Sequence, residues 1–434
     1  MTSLFLNLIV GTINNPIECQ TTCKRCCLSN VSYHLRCIKS NHISFPIPSK
    51  VLHILKSLVY TRRGGHRQGR SSMAAAAITH SLPEDIVVDI LARLPVKSLK
   101  RFSPQFITAH YSFSKNKTCL LMKQVNFSQR KAMVSFISNQ TLDVVANLDI
   151  PSFTDDPIHI HILGHCNGII CLCDCFSGIL LWNIATKEFK ILPMCPFECP
   201  PSSENTIDVA GLGYDSKRDE YKVIRIDTFW EGDFDRVPRG NRVALYNLTT
   251  DSWRKFNDNL TAEFFNCHGI DQVYSNGFYH CLAVVDSEEL LLSFDMSNEV
   301  FVTTPFPDGR LGKSCRTTRY LTYLMEINGS LGVLLCHDYY VRYGCYDVWV
   351  LGELGLKNSW TKLFTIESFP PATIPLGVGR DGEIFLVNQE SKFLAWHHRD
   401  NKEIKTLQFE GTALELALYA ESLVSFRGGT AFNH

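Results

Sequence analysis

The sequence predicts a small all-α module followed by a large all-β body of propeller type, and three observations predict it. One amphipathic helical hairpin stands at 81–102. Beyond about residue 160, short apolar strands recur behind a turn glycine. Between these lie pairs of strands joined by a polar turn. The composition fits, since 434 residues with 45% hydrophobic and 20% charged side chains are ordinary folded material with room for more than one domain.

Residues 1–72 show no sustained helical or strand period and end in the basic run "TRRGGHRQGRSS". They hold four Lys and six Arg against one acid, Glu18, a net charge of +9 that leaves −9 on 73–434. The mildly acidic body argues against nucleic acid as a partner. Met73 followed by "AAAAITHSLPEDI" reads as a natural start, so 1–72 are expected to be a disordered basic arm or an extension upstream of that start. Cys19, Cys23, Cys26, Cys27 and Cys37, with His34 and His42, supply one crowded cluster there. Zinc needs two ligand pairs at closing distances, a pattern matched only loosely, and no metal is assigned.

No run of 18 apolar residues occurs, and "MTSLFLNLIV" lacks a basic leader, so neither a membrane span nor a secretory signal is read. The seven N-x-S/T sequons, from Asn30 to Asn328, are then incidental. Seventeen cysteines, mostly single in apolar surroundings, suit a reducing compartment, the cytoplasm and/or nucleus.

In "SLPEDIVVDILARLPVKSLKRF", 81–102, Pro83 suits a first helical position and Glu84 and Asp85 the positive end of the helix dipole. Ile86, Val87, Ile90, Leu91 and Leu94 form one apolar face. Pro95 ends the helix, and Val96, Leu99 and Phe102 begin a second. Read without further context, this is a helical hairpin capping the next domain.

In the body, the turn glycines are Gly168, Gly213, Gly277, Gly329 and Gly382, at intervals of 45, 64, 52 and 53. The paired strands appear in "ILLWNIATKEFKIL", "VALYNLTTDSWRKF", "LLSFDMSNEVFVTT", "YDVWVLGELGLKNSWTKLF" and "KFLAWHHRDNKEIKTL". Spacing near fifty with four short strands per unit is the mark of a kelch-type β-propeller. Asn, Asp, Thr and Ser in the turns can cap them locally. Trp182, Trp253, Trp349, Trp360 and Trp396 recur near these hairpins and are expected to pack between blades.

Catalytic patterns are absent: there is no G-x-S-x-G, H-E-x-x-H or phosphate loop. Cys171, Cys173 and Cys175 share one strand face; a metal there would need a fourth ligand such as Cys166 or His165, and the reading preferred is small hydrophobes filling a narrow face. Cys267-His268 and His397-His398 point to opposite faces of a strand and form no nucleophile–base couple. A helical tether followed by a ring of loops reads instead as a docking module plus a recognition surface.

At this point the residues resemble a family. "LPEDIVVDILARLPVKSLKRF" resembles the opening of a plant F-box, and "GHCNGIICL", "LLWNIATKEFKILP", "GLGYDSKRDEYKVIRI", "LYNLTTDSWRKF", "VYSNGFYHCLA" and "LLSFDMSNEVF" resemble, in order, the F-box-associated domain. "CPPSSENT" ahead of "GLGYDSK" is similar to the S-locus F-box-like branch. The resemblance covers about 81–425, with an F-box at 81–113 and a β domain at 160–425. It implies a substrate receptor of a Skp–cullin–F-box ubiquitin ligase, without an active site or cofactor, whose partners are a Skp-family adaptor, through it a cullin, and a target protein. By position it makes Leu82, Pro83, Ile86, Ile90, Leu91, Leu94, Pro95 and Leu99 adaptor-facing or F-box core residues.

Two departures bear on this. The family's turn proline is Ile184 in "WNIAT", which changes turn rigidity. In the F-box, Phe102 runs straight into Ser103-Pro104-Gln105-Phe106, where the family continues into a third helix. On the order of a dozen residues, roughly three helical turns, are missing. Burying one Leu- or Val-sized side chain against such a helix is worth roughly 1.5–3 kcal/mol, so its absence weighs heavily on a module this small. The alternative is therefore an F-box-derived binding protein that no longer docks on a ligase. A propeller enzyme is a third reading, without a cofactor or paired-carboxylate motif behind it. Loops 195–210 and 229–241 are expected to carry target recognition.

Overall fold

The computed structural model describes residues 118–431 apart from 139–141, 198–202, 232–236, 257–259, 261, 263, 265–271, 286–287, 308–321, 337–345, 367–373, 380–382, 388–392, 398–403, 408–411 and 427. The helical hairpin expected at 81–102 lies outside them. Among the described residues there is no α-helix; the body is all-β and propeller-like.

Strands begin at Cys119, well ahead of the start near 160 read from the sequence, because the first sheet is split between the two ends of the body. β1 (Cys119–Asn126), β2 (Lys131–Ile137) and β3 (Val144–Asp149) form a meander whose innermost strand, β24 (Thr412–Tyr419), arrives from the far end, with Leu120 opposite Leu418 and Met122 opposite Leu416. The other sheets are contiguous. Sheet 2 holds β4 (Ile160–Cys166), β5 (Ile169–Asp174), β6 (Gly178–Asn183) and β7 (Glu188–Ile191). Sheet 3 holds β8 (Ser203–Asp215), β9 (Glu220–Glu231), β10 (Val237–Asn247) and β11 (Ser252–Phe256). Sheet 4 follows with β12 (Gln272–Ser275), β13 (Phe278–Val285), β14 (Glu288–Asp295) and β15 (Phe301–Pro305). Sheet 5 has β16 (Thr322–Ile327), β17 (Ser330–Cys336), β18 (Tyr346–Leu351) and β19 (Trp360–Ile366); sheet 6 has β20 (Ile374–Val378), β21 (Glu383–Val387), β22 (Phe393–His397) and β23 (Ile404–Leu407). A fifth strand, β25 (Thr430–Ala431), adds to the outer edge of sheet 2.

Six apolar cores lie between successive sheets. Side chains of one strand alternate between two of them, because successive strand residues point to opposite faces. Leu121 packs with Ile162 and Trp182 between sheets 1 and 2, whereas Leu120 and Met122 pack with Leu376 and Phe385 between sheets 6 and 1. Cys171, Cys173 and Tyr246 fill the core between sheets 2 and 3, and Val209, Tyr279 and Phe294 the next. Leu291, Val333 and Trp360 join sheets 4 and 5; Leu334, Ile384 and Leu386 join sheets 5 and 6. Each sheet packs on two neighbours, so the ring closes without a free face. Burial on both faces is why these strands read as near-continuous apolar runs.

The turn glycines divide into two kinds. Asn167-Gly168, Asn276-Gly277 and Asn328-Gly329 have positive φ at both residues and join the first two strands of sheets 2, 4 and 5, the geometry favoured for two-residue hairpins. Gly213 is not in a turn. It lies within β8, where a Cβ would come within 2.6 Å of Met296 and 2.8 Å of Tyr274, as one at Gly211 would meet the Tyr279 ring at 1.8 Å. These glycines let sheet 4 approach sheet 3, which accounts for the irregular intervals around position 213. Gly382 lies outside the described residues.

The tryptophans that are described pack between sheets, as expected. Trp182 is fully buried, and Trp349 flanks the core between sheets 4 and 5. Trp253 and Trp360 each donate from the outer strand of one sheet to a proline carbonyl following or ending the outer strand of the sheet before, Pro193 at 2.8 Å and Pro305 at 3.0 Å. The side chain of Trp396 lies outside the described residues.

Candidate functional site

Meander topology gives the ring two unlike rims. On one, the turn rim, lie the Asn-Gly hairpins and the turns between the third and fourth strands. Asn183, Asp215, Asn247 and Asp295 each open a turn by accepting backbone N–H groups two or three residues on, and Lys187, Asp219, Asp251 and Glu299 close it in the left-handed conformation. Neighbouring turns are bonded to each other. Lys222 Nζ, on buried β9, donates to Asp215 at 2.7 Å and to Glu299 and the Met296 carbonyl at 2.9 Å, tying sheet 3 to the turn of sheet 4. Asn276 Nδ2 likewise donates to the Gly329 carbonyl at 2.9 Å.

The opposite rim, the connector rim, carries the links from each sheet to the next, among them the described residues 150–159 and 192–197. Two phenylalanines stand out into solvent there, Phe127 (56% exposed) and Phe176 (70% exposed), in the middle turns of sheets 1 and 2. Around them Arg130 pairs with Asp156, His159 packs edge-on to Phe176, and Thr154 bonds Asp174. Next to this patch β8, β9 and β10 run 13, 12 and 11 residues, against 4–8 for the long strands of the other sheets, and so rise past their neighbours as a wall. Inside the wall Arg225 holds Asp227 through two bonds of 2.6 and 2.7 Å, and the Arg242 guanidinium lies 4.2 Å over the Phe229 ring, which meets Phe197 edge-on. The stretches 195–210 and 229–241, expected to be recognition loops, therefore contain long pieces of β8, β9 and β10. Their turn-like composition belongs to a sheet that outgrows the ring.

The innermost strands β4, β12, β16, β20 and β24 line an axial cavity of about 470 Å3. Inner edges carry backbone groups that no further strand pairs, and side chains from next-door sheets take up some of them. Gln272 accepts the Ala210 N–H and donates to the Asp208 carbonyl of β8. Tyr279 Oη, seated over Gly211, lies 2.7 Å from the Ala210 carbonyl. Glu415 on β24 accepts from Ile162 N at 2.6 Å, meets His161 Nδ1 at 2.7 Å and pairs with buried Lys123 at 3.1 Å, joining β24, β4 and β1 where the ring closes. Burial raises its pKa, but the Lys123 charge and the His161 contact outweigh that and hold it at about 2.

Nothing in these groups resembles an activated nucleophile. Burial pushes the thiols of Cys119, Cys171 and Cys195 up to about 12, so they stay protonated at neutral pH. Cys171 and Cys173 are core, with Cys175 packed at its margin. His280, 2.8 Å from Ser293 Oγ, is pulled down to about 4 by burial and stays neutral. No group of three or more His, Cys, Asp or Glu among the described residues is placed to hold a metal. Nor is any helix among them long and apolar enough to cross a membrane.

The residues singled out in the sequence for adaptor docking, Leu82, Pro83, Ile86, Ile90, Leu91, Leu94, Pro95 and Leu99, all lie outside the described residues, as do Cys267 and His268. What sequence reasoning missed is the contrast between the rims. The signal available was the run of long, unpatterned stretches between units.

Residues 113–418 match the model of the F-box associated beta propeller domain. The match takes in β1–β3, in agreement with the early start of the strands. F-box protein CPR1 of Arabidopsis thaliana is 25% identical over 367 residues, covering 76% of this chain and 85% of that protein. Another Arabidopsis thaliana F-box protein is 27% identical over 334 residues, 69% of this chain and 76% of its own. An F-box/kelch-repeat protein of the same plant is 24% identical over 332 residues, 72% of this chain and 86% of its own.

Proposed function

The chain belongs to the F-box associated beta propeller family, and from that premise we propose that it is the substrate-recognition subunit of a Skp–cullin–F-box ubiquitin ligase. The observation that carries the reading is the unlikeness of the rims. One is locked by self-capped turns and buried ion pairs; the other exposes Phe127 and Phe176 beside a tall wall, as a surface for a protein target would. The adaptor is a Skp-family protein, and Leu82, Pro83, Ile86, Ile90, Leu91, Leu94, Pro95 and Leu99 either face it or form the core of the F-box that docks on it. The receptor is non-catalytic: it positions a target for a transfer performed elsewhere in the complex, in cytoplasm or nucleus. We place it, on "CPPSSENT", in the S-locus F-box-like branch, with a kelch-type repeat.

A second reading has its own observation. Phe102 runs straight into Ser103-Pro104 where the F-box pattern continues into its third helix, and on this reading the chain binds its target but recruits no ligase. Co-purification of the full chain with a Skp adaptor decides between them. A stoichiometric complex that Leu91→Asp abolishes is the expected result. Failure to retain the adaptor, with a cooperatively unfolding β domain, leaves the second reading.

A further inference from the structure

β8 is the innermost strand of sheet 3, so only β9 pairs with it and its other edge faces the ring axis. Within the ring that edge is taken up. Ala210 N donates to Gln272 Oε1 at 3.3 Å, the Asp208 carbonyl accepts from Gln272 Nε2 at 3.1 Å, and Ile207 N donates at 3.1 Å to the carbonyl of Cys175, in the middle turn of sheet 2. Beyond Ile207, toward the connector rim, the edge is open. In an antiparallel pair, residues whose backbone groups face the partner alternate with residues whose groups face away. Ile207 faces away from β9, so Asn205 and Ser203, two and four residues back in unbroken register, face away too. Among the described residues no strand pairs with either on that side, and the Asn205 N–H and carbonyl meet no other group. An open backbone edge is a template for a further strand. The Cys175 carbonyl fills its first position, and Phe176, the next residue, stands 70% exposed beside the positions left open. Asp227, on the same face as Asn205, is already bonded to Arg225 and to Asn205 Nδ2. The edge therefore offers main-chain donors and acceptors beside an aromatic ring, not a free charge.

We propose that an extended segment of the target protein adds to this edge as an antiparallel strand, exchanging two hydrogen bonds with Asn205 and two with Ser203, and sets an apolar side chain against Phe176. That the occupant is a target protein rests on the receptor reading above, in either of its forms. Main-chain bonds supply the affinity of such strand addition, and alternate side chains supply the selection. Asn205 shares a face with Ile207, which packs in the core between sheets 2 and 3. The guest residue opposite Asn205 therefore turns toward sheet 2 and Phe176, and the guest residues on either side of it turn away.

The test titrates the full chain with the blocked peptide Ac-Lys-Thr-Val-Phe-Val-Thr-Lys-NH2 and two isomers, N-methylated on the Phe or on both Val residues, read by calorimetry or ligand-observed NMR. Saturable binding of the parent peptide is expected. Methylation on Phe should weaken it about tenfold, because that N–H faces the Asn205 carbonyl, and methylation on Val should leave it within about twofold. Asn205→Pro removes only an axial N–H, which an edge strand tolerates, and should weaken binding about tenfold relative to Asn205→Ala, which loses the same side-chain bond to Asp227. Phe176→Ala should cost about threefold. Matching unfolding midpoints for the two Asn205 variants confirm that the fold is kept, and the methylated peptides probe the same bonds on the wild type. Absence of saturable binding to the folded wild type, equal affinities of the two methylated isomers, or equal affinities of the two Asn205 variants overturns the proposal. So does self-association of the chain, seen by sedimentation and lost in Asn205→Pro, which would assign the edge to a second copy. The titrations contain neither adaptor nor target. Their failure therefore leaves the receptor reading standing, and a failed adaptor co-purification leaves the titrations untouched.

Discussion

Asp208, midway along β8, and Asp215, at its end, are both buried, and their carboxylates behave in opposite ways. Asp215, on the turn rim, accepts from Lys222, Arg218 and two turn amides; burial raises its pKa, but these bonds more than reverse the shift, and it stays ionised well below the usual carboxylate range. Asp208, at the foot of the wall, accepts from Thr206 at 2.8 Å through one oxygen while the other has no hydrogen-bond partner; burial lifts it to about 6 against the lowering effect of the nearby Thr228 and Thr206 hydroxyls. The same residue type on one strand is a fastener at its end and an incompletely satisfied carboxylate in its middle. The turn rim is fastened at Asp215 by bonds between neighbouring turns, and Asp208 beside the wall retains the incompletely satisfied chemistry that binding surfaces commonly carry.

The sharpest way to break this contrast is at Lys222. Lys222→Met leaves Asp215 buried with only Arg218 and the turn amides, and should cost about 3 kcal/mol, seen as a lower urea midpoint. Asp208→Asn should move the other way. Its folded pKa is raised above the unfolded value, so the wild type loses stability as pH rises from about 3.8 through about 6. At pH 7 the variant should gain on the order of 1–3 kcal/mol, and its stability should be flatter across that interval. Equal signs for these two variants would refute the contrast.

Glu415 gives a third test where the ring closes. Its folded pKa is depressed, so the stabilisation is full above about 4.5 and is lost as pH falls toward about 2. Acid titration of Glu415→Gln should show a shallower loss over that window than the wild type. Gly277→Ala tests the turn rim's backbone alone, since φ is +84° and a Cβ there would touch nothing; about 1–2 kcal/mol is expected from the left-handed conformation. The smallest effect on stability should come from Phe127→Ala with Phe176→Ala, under about 0.5 kcal/mol each. A loss comparable to Gly277→Ala would mean that these rings serve the fold rather than an encounter.

Five of the six sheets were legible as contiguous units, because a strand buried on both faces leaves an apolar run and its turns leave Asn, Asp and Gly. The alternating cysteines of β5 were read correctly as core for the same reason. The sixth sheet was not legible: β24 and β1–β3 lie at opposite ends of the body, and no local pattern records which distant strand an edge will pair with. Gly213 was misread because composition does not distinguish a glycine that turns the chain from one that admits Tyr274 and Met296 of the next sheet. The docking residues from Leu82 to Leu99 were read from helical period and resemblance alone.

The sequence by itself determined that the body is built from repeated four-stranded units, that their faces are apolar, and that their turns cap themselves, since each follows from interactions within a few residues. Only the tertiary structure decided that six sheets close on themselves through β24, that Glu415 meets Lys123 and His161 at the seam, and that Cys175 of sheet 2 meets Ile207 beside an open edge of β8. Those placements depend on contacts between residues far apart in the chain, whose energies are set by burial and charge at the meeting point and leave no mark in the local order of amino acids.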